Sequence, residues 1–174
     1  KGKNYLKFPV YYVDHLCVKP GHRQKGIAAE LIQTFYYNAS RVNPKINAYL
    51  FKREGKLNAI VPMVYYDTYS FDMTNYCSET LLLSSFPVIE IGISQLNLFI
   101  SFIKEQMVHF DCVVLPDISN VLNLLKLGKI KIYGIFFQGD LIAVFIFRCL
   151  ELYYGGKKAA ECTTILSTST TSND

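Results

Sequence analysis

The stretch "CVKPGHRQKGIAAELIQ", residues 17–33, joins an apolar run to a helical pattern through a short basic turn. Residues 8–18, before and into this stretch, are rich in Tyr and Val and predict a strand. From Ala28 onward apolar residues recur at helical spacing until Asn43, which Pro44 follows, ends the pattern. The stretch therefore predicts a strand, a loop and a helix in succession.

The turn has the composition of a phosphate-binding loop. Such a loop needs converging backbone amides, a residue without Cβ where backbone meets ligand, and a helix N-terminus. Gly26 allows close approach, Ala28 is small at the first helical turn, and Arg23 and Lys25 add positive charge. The residues match neither GxGxxG nor the Walker pattern. The alternative is an ordinary solvated turn that contains a glycine.

Composition limits the classes of function. The chain has 174 residues, 51% of them hydrophobic, and a net charge of +4, which favours a local anionic ligand over nucleic acid. Five cysteines without a CxxC pair indicate reduced thiols and a cytoplasmic, reducing compartment. We expect no stable membrane insertion and no metal site, because no long apolar run and no ligand spacing occur.

The rest of the chain alternates strand and helix patterns. The predicted elements are a strand at 47–52, a helix from Ser94, a buried strand "DCVVLP" at 111–116, a helix capped by Asp117 or Ser119 and ended by Gly128, a hairpin of Tyr133–Phe137 with Leu141–Arg148, and a strand at 162–168. Gln138-Gly139-Asp140 is the turn signal of the hairpin. This mixture predicts an α+β or α/β fold.

The spacing R-x-x-G-x-A after a strand resembles the acyl-CoA loop of the GNAT acyltransferase superfamily, which has the pattern Gln/Arg-x-x-Gly-x-Gly/Ala. Arg23, Gly26 and Ala28 occupy its three defined positions. About the first 60 residues also look like eukaryotic N-myristoyltransferases. The matching residues are Leu16, Cys17, Val18, Arg23, Lys25, Ala28, Leu31 and Ile32.

The resemblance implies an α+β fold with a GNAT-like mixed sheet flanked by helices, and parts of two GNAT halves. The expected segments are 1–85 with the acyl-CoA loop, 86–166 as a second α/β segment that contains the hairpin, and a mobile tail at 167–174.

The resemblance also implies an acyl-CoA-dependent N-acyltransferase in which an amine attacks the thioester directly. The implied co-substrate is acetyl-CoA or another acyl-CoA, and no metal is implied. The implied partner is an amine substrate, for which a protein N-terminus is one candidate. The backbone amides of His15 and Leu16 are the implied oxyanion donors. The implied acyl-CoA-binding residues are Cys17, Val18, Arg23, Gln24, Lys25, Gly26, Ile27 and Ala28.

The general base is not assigned by the sequence. Myristoyltransferases use a C-terminal carboxylate after a large apolar residue, whereas this chain ends "STTSND". Asp14 and His15 lie at the appropriate end of the predicted strand, but alternation lets only one of them face the site. The missing base leaves a second hypothesis, a catalytically inactive GNAT-like binding or structural module.

Overall fold

The computed structural model describes residues 6–13, 16–52, 62–74 and 86–168. They fall into two compact units, Asn4–Phe71 and Asp72–Asp174, the second of which also includes Lys1–Lys3. The predicted segment boundary at 85/86 lies at the edge of the described ranges. Most of the predicted tail lies outside them.

The described residues of the first unit form a strand, a helix and a second strand. Its elements are β1 (Tyr11–Val13), α1 (Ile27–Val42) and β2 (Tyr49–Phe51). The two strands pair in parallel, with Tyr11 opposite Tyr49. The connection from β1 through α1 to β2 is therefore a crossover, as parallel pairing requires.

Aromatic rings hold α1 on the two strands. The Tyr11 and Tyr49 rings stack at 5.5 Å, and Phe35 of α1 meets them edge-on at 5.9 Å and 6.2 Å between centroids. Ser40 Oγ lies 3.1 Å from the Tyr49 hydroxyl. Among the described residues of this unit only Ala39 is buried. The helix ends where predicted, with the Asn43 amide donating to the Ala39 carbonyl.

In the second unit, the described residues form an antiparallel sheet that carries two helices. Its elements are β3 (Val88–Glu90), α2 (Leu96–Gln106), α3 (Ile118–Lys126), β4 (Ile130–Phe137), β5 (Asp140–Tyr154) and β6 (Lys157–Ser167). The strand order is β3-β4-β5-β6. Ile91, Ile132 and Val144 are fully buried at the centre of the core, to which α2 contributes Phe99 and Phe102. The predicted α+β class is confirmed.

The predicted hairpin forms with the expected turn. Gln138 and Gly139 both have positive φ, 50° and 93°, which is the backbone of a type I′ turn. Asp117 caps α3 by accepting the Ser119 amide at 2.8 Å, and Gly128 follows the helix at φ 63°. These three predictions, which rest on local turn and cap chemistry, are confirmed.

Two strand predictions are wrong in extent or in kind. Within the described residues of the strand predicted at 8–18, regular strand covers Tyr11–Val13, and residues 16–19 are irregular before a 3-10 turn at Pro20–His22. The run "DCVVLP" at 111–116 has irregular backbone and exposed side chains. An apolar run becomes a strand only where a neighbour takes its hydrogen bonds, and neither described sheet pairs with these segments.

Candidate functional site

The loop after β1 lies where parallel strands commonly present ligand sites. It leaves the carboxyl end of β1 and enters the amino end of α1. In sheets with parallel strands, ligands bind beyond the carboxyl ends of the strands, and helix N-termini there favour anions. The predicted loop therefore lies between the carboxyl end of β1 and the amino end of α1.

Gly26 is the conformational pivot of the loop. It takes the N-cap position of α1 with φ 79° and ψ −9°, a left-handed conformation that glycine adopts without a steric penalty. The space in front of it is open, since an added Cβ would meet no heavy atom within 4 Å. Glycine was predicted here for close approach of a ligand; the structure adds a backbone reason for it.

The change of hand at Gly26 brings successive amides together. Gly26 is left-handed and Ile27 begins a right-handed helix, and such a pair forms a concavity of backbone N–H groups. The first amide of the helix to donate within the chain is that of Ala29, to the Gly26 carbonyl at 2.9 Å. In the described part of the chain the amides of Ile27 and Ala28 have no protein acceptor, so they can donate to an anion.

Gln24 carries a second left-handed backbone in the same loop, at φ 62°. A residue with a Cβ is uncommon in this region and pays about 1–2 kcal/mol for it. Strained backbone of this kind concentrates at ligand sites. The residue type does not predict the left-handed backbone of Gln24, because glutamine has no special preference for that conformation.

The charges around the loop are positive. Lys19, Arg23 and Lys25 are exposed, and Glu30 is the one acid between residues 16 and 42. Eleven of the 18 Lys and Arg residues, but only four of the 14 Asp and Glu, precede residue 72. The modest net charge of the chain therefore hides a basic first part, which contains the loop.

The other predicted site residues have these positions. Leu16 and Cys17 are exposed on irregular backbone after β1, and Val18 is half-buried. His15, with the neighbouring Asp14, lies outside the described residues.

Neither a metal site nor a membrane span is found in the described part of the chain. No three His, Cys, Asp or Glu side chains within it could hold a metal ion together. Its helices are also too short or too polar to cross a bilayer.

Partial structural likenesses to known proteins include two acetyltransferases. No protein-family profile matches the chain, and no curated protein is significantly similar in sequence. One similar structure is a ribosomal-protein-alanine N-acetyltransferase from Brucella melitensis biovar Abortus 2308, at 16% identity, over 49% of this chain and 60% of that one, with a TM-score of 0.40. Another is an aminoglycoside acetyltransferase from an uncultured soil metagenomic sample, in complex with trehalose, at 17% identity, over 48% and 57%, with a TM-score of 0.40. The alignments thus span less than two thirds of either acetyltransferase.

Proposed function

We propose that this protein is an acyl-CoA-dependent N-acyltransferase of the GNAT type, and that the loop before α1 holds the diphosphate of the acyl-CoA. The observation that carries the proposal is the left-handed Gly26 immediately before a helix, which leaves amides free at the carboxyl end of a parallel strand. The R-x-x-G-x-A spacing gives independent support from the sequence.

The loop residues would have different roles in binding the acyl-CoA. The amides of Gly26, Ile27 and Ala28 would donate to the phosphate oxygens, helped by the dipole of α1. Lys19 and Lys25 would supply long-range attraction. Leu16, just after β1, would contribute a backbone amide to the thioester carbonyl, together with His15.

The reaction is an acyl transfer. The amine nitrogen forms a bond to the thioester carbon, the carbon–sulfur bond breaks, and coenzyme A leaves with its sulfur as thiolate or thiol. Before it attacks, the ammonium loses one proton to a base that the described residues do not identify, and the second proton that nitrogen loses after the attack can go to the departing thiolate. A reducing, cytoplasmic setting belongs to the proposal, because it keeps Cys17, Cys112, Cys149 and Cys162 as the free thiols that they are.

Calorimetric titration with coenzyme A tests the binding part of the proposal. We expect Gly26→Val to weaken binding at least tenfold, because a β-branched residue resists the left-handed conformation. Gly21→Val is the matched control: it lies in the same loop, has open space around it and has no positive φ. Equal affinities of wild type and Gly26→Val would contradict the proposal.

Release of free thiol from acyl-CoA in the presence of peptide amines tests the catalytic part. Amine-dependent release would support an enzyme, whereas binding without turnover would favour the inactive binding module. Thermal shifts with acetyl-CoA and myristoyl-CoA at equal concentration then rank the acyl chains, because the tighter ligand stabilises more.

A further inference from the structure

The Arg23 side chain turns back onto its own loop. Its Nε lies 3.4 Å from the Val18 carbonyl oxygen, to which it donates. The Arg23 amide donates to the Pro20 carbonyl at 3.2 Å, and the His22 amide to the Lys19 carbonyl at 2.9 Å. Arg23 is thus the residue at which side chain and backbone both tie the turn to the segment that precedes it. Among the described residues, its guanidinium forms no ion pair.

These bonds stand directly before the strained part of the loop. Arg23 itself is extended, and the next residue, Gln24, is left-handed. Two residues later Gly26 is left-handed as well. Strained backbone of this kind persists only where surrounding contacts hold it. Without such contacts, a short exposed segment would relax into one of many unstrained conformations that water solvates equally well. The bond from Arg23 to Val18 lies at the near end of this segment.

We propose that Arg23 is a positioning residue: its Nε–H braces the loop against Val18 and so presets the amides of Gly26, Ile27 and Ala28. The proposal rests on the proposed function only for the ligand that these amides receive. The bracing itself is a property of the loop without ligand.

Covalent geometry supplies a test that separates bracing from charge. The Nε of arginine and the Nε2 of glutamine are the same number of bonds from Cα, so glutamine can make the bond to Val18 without a positive charge. Lysine has a methylene at that place and its ammonium one atom further, so it keeps the charge and loses the donor in that position. Arg23→Gln and Arg23→Lys are therefore complementary variants of the full chain.

The first measurement needs no ligand. Backbone ¹⁵N relaxation of Gln24 to Ala28 reports how ordered the loop is, with order parameters of about 0.85 for rigid and below about 0.6 for flexible amides. We expect Arg23→Gln to keep the wild-type values and Arg23→Lys to lower them. The midpoint of thermal unfolding should stay constant, because Arg23 is exposed. Equal order in all three proteins, or loss of order in Arg23→Gln, would overturn the bracing.

The second measurement is the affinity for coenzyme A. At high salt, where the loss of one positive charge is screened, loss of one hydrogen bond corresponds to about a threefold to tenfold change in affinity, and we expect this change in Arg23→Lys but not in Arg23→Gln. The reverse order would mean that charge matters and would overturn the proposal, as would equal affinities in all three proteins. If the relaxation result holds but wild type binds no coenzyme A, the proposed function fails and the bracing stands.

Discussion

At the scale of single residues, the backbone conformation of the loop shows features that its residue types do not predict. Gly26 and Gln24 both adopt left-handed φ within three residues, and the helix begins directly after them. The spacing of Arg23, Gly26 and Ala28 predicts where the site lies. It does not predict the conformation of Gln24, because glutamine has no special preference for left-handed backbone.

Glu30 gives a prediction about charge at the site. It lies in the first turn of α1 and is the acid closest in sequence to the amides of the loop. A negative charge there competes with a bound anion for the positive end of the helix. We expect Glu30→Gln to tighten coenzyme A binding about twofold to fivefold. Calorimetry at low and high salt checks this, and an unchanged or weaker affinity at low salt would show that no anion binds at this helix end.

Asp72 gives a prediction about acid stability. The Lys157 ammonium at 2.6 Å, helped by the Thr74 hydroxyl and amide, lowers the pKa of Asp72 from 3.8 to about 2. Because the pKa is lower in the folded state, the stabilisation is complete above about pH 4 and is lost as the pH falls towards 2. The thermal midpoint of wild type should therefore fall more steeply between pH 4 and 2 than that of Asp72→Asn. Parallel curves would show that the ion pair does not form in solution.

At the scale of elements, turn and cap residues predict helix starts and hairpins correctly, whereas an apolar run is a poor predictor of a buried strand. Gln138-Gly139 specifies a hairpin and Asp117 specifies a helix start, because each acts on its own neighbours. The apolar run at 111–116 predicts a strand only if another strand lies beside it, and that depends on long-range topology. The same limit explains why β1 is shorter than the Tyr- and Val-rich run that contains it.

Gly134 in the centre of β4 gives a prediction about packing. A Cβ there would lie 2.6 Å from Leu141 Cδ1 and 2.9 Å from Ile91 Cδ1, both in the core. We expect Gly134→Ala to lower the free energy of unfolding by about 1–3 kcal/mol in denaturant titration.

The matched control for this prediction is Gly92→Ala. Its added Cβ would meet only the Gln95 side-chain oxygen, at an ordinary 3.5 Å, and it should change stability little. Leu141→Ala placed on Gly134→Ala should cost less than Leu141→Ala alone, because the smaller side chain gives the new methyl room. Additive effects of the two substitutions would contradict the packing argument.

At the scale of the whole molecule, the two units differ in how much they bury. The described residues of the first unit bury Ala39, whereas the second unit has a cluster of seven buried apolar residues. Hydrophobic spacing in the sequence is similar in both parts, because it reports which face of an element is apolar and not what covers it.

This difference predicts uneven protection from hydrogen exchange. Amides of β4 and β5 should exchange only on global opening, whereas those of β1 and β2 should exchange through smaller, more frequent openings. Mass spectrometry of deuterated peptides would resolve the two groups. Coenzyme A should slow exchange in the loop and the first turn of α1 while leaving β4 and β5 unchanged. Equal protection of both units without ligand would show that the first unit is more deeply buried than its described residues indicate.

The left-handed backbone of Gln24 and Gly26 also bears on kinetics. Because these two residues already turn the loop, we expect no slow rearrangement to precede or follow the arrival of an anion. Association should then be a single step whose rate rises in proportion to ligand concentration and falls with added salt, because the exposed charges of Lys19 and Lys25 would attract an anion from a distance. A loop of this kind carries a small, permanent backbone strain, and in return its association with a ligand is fast.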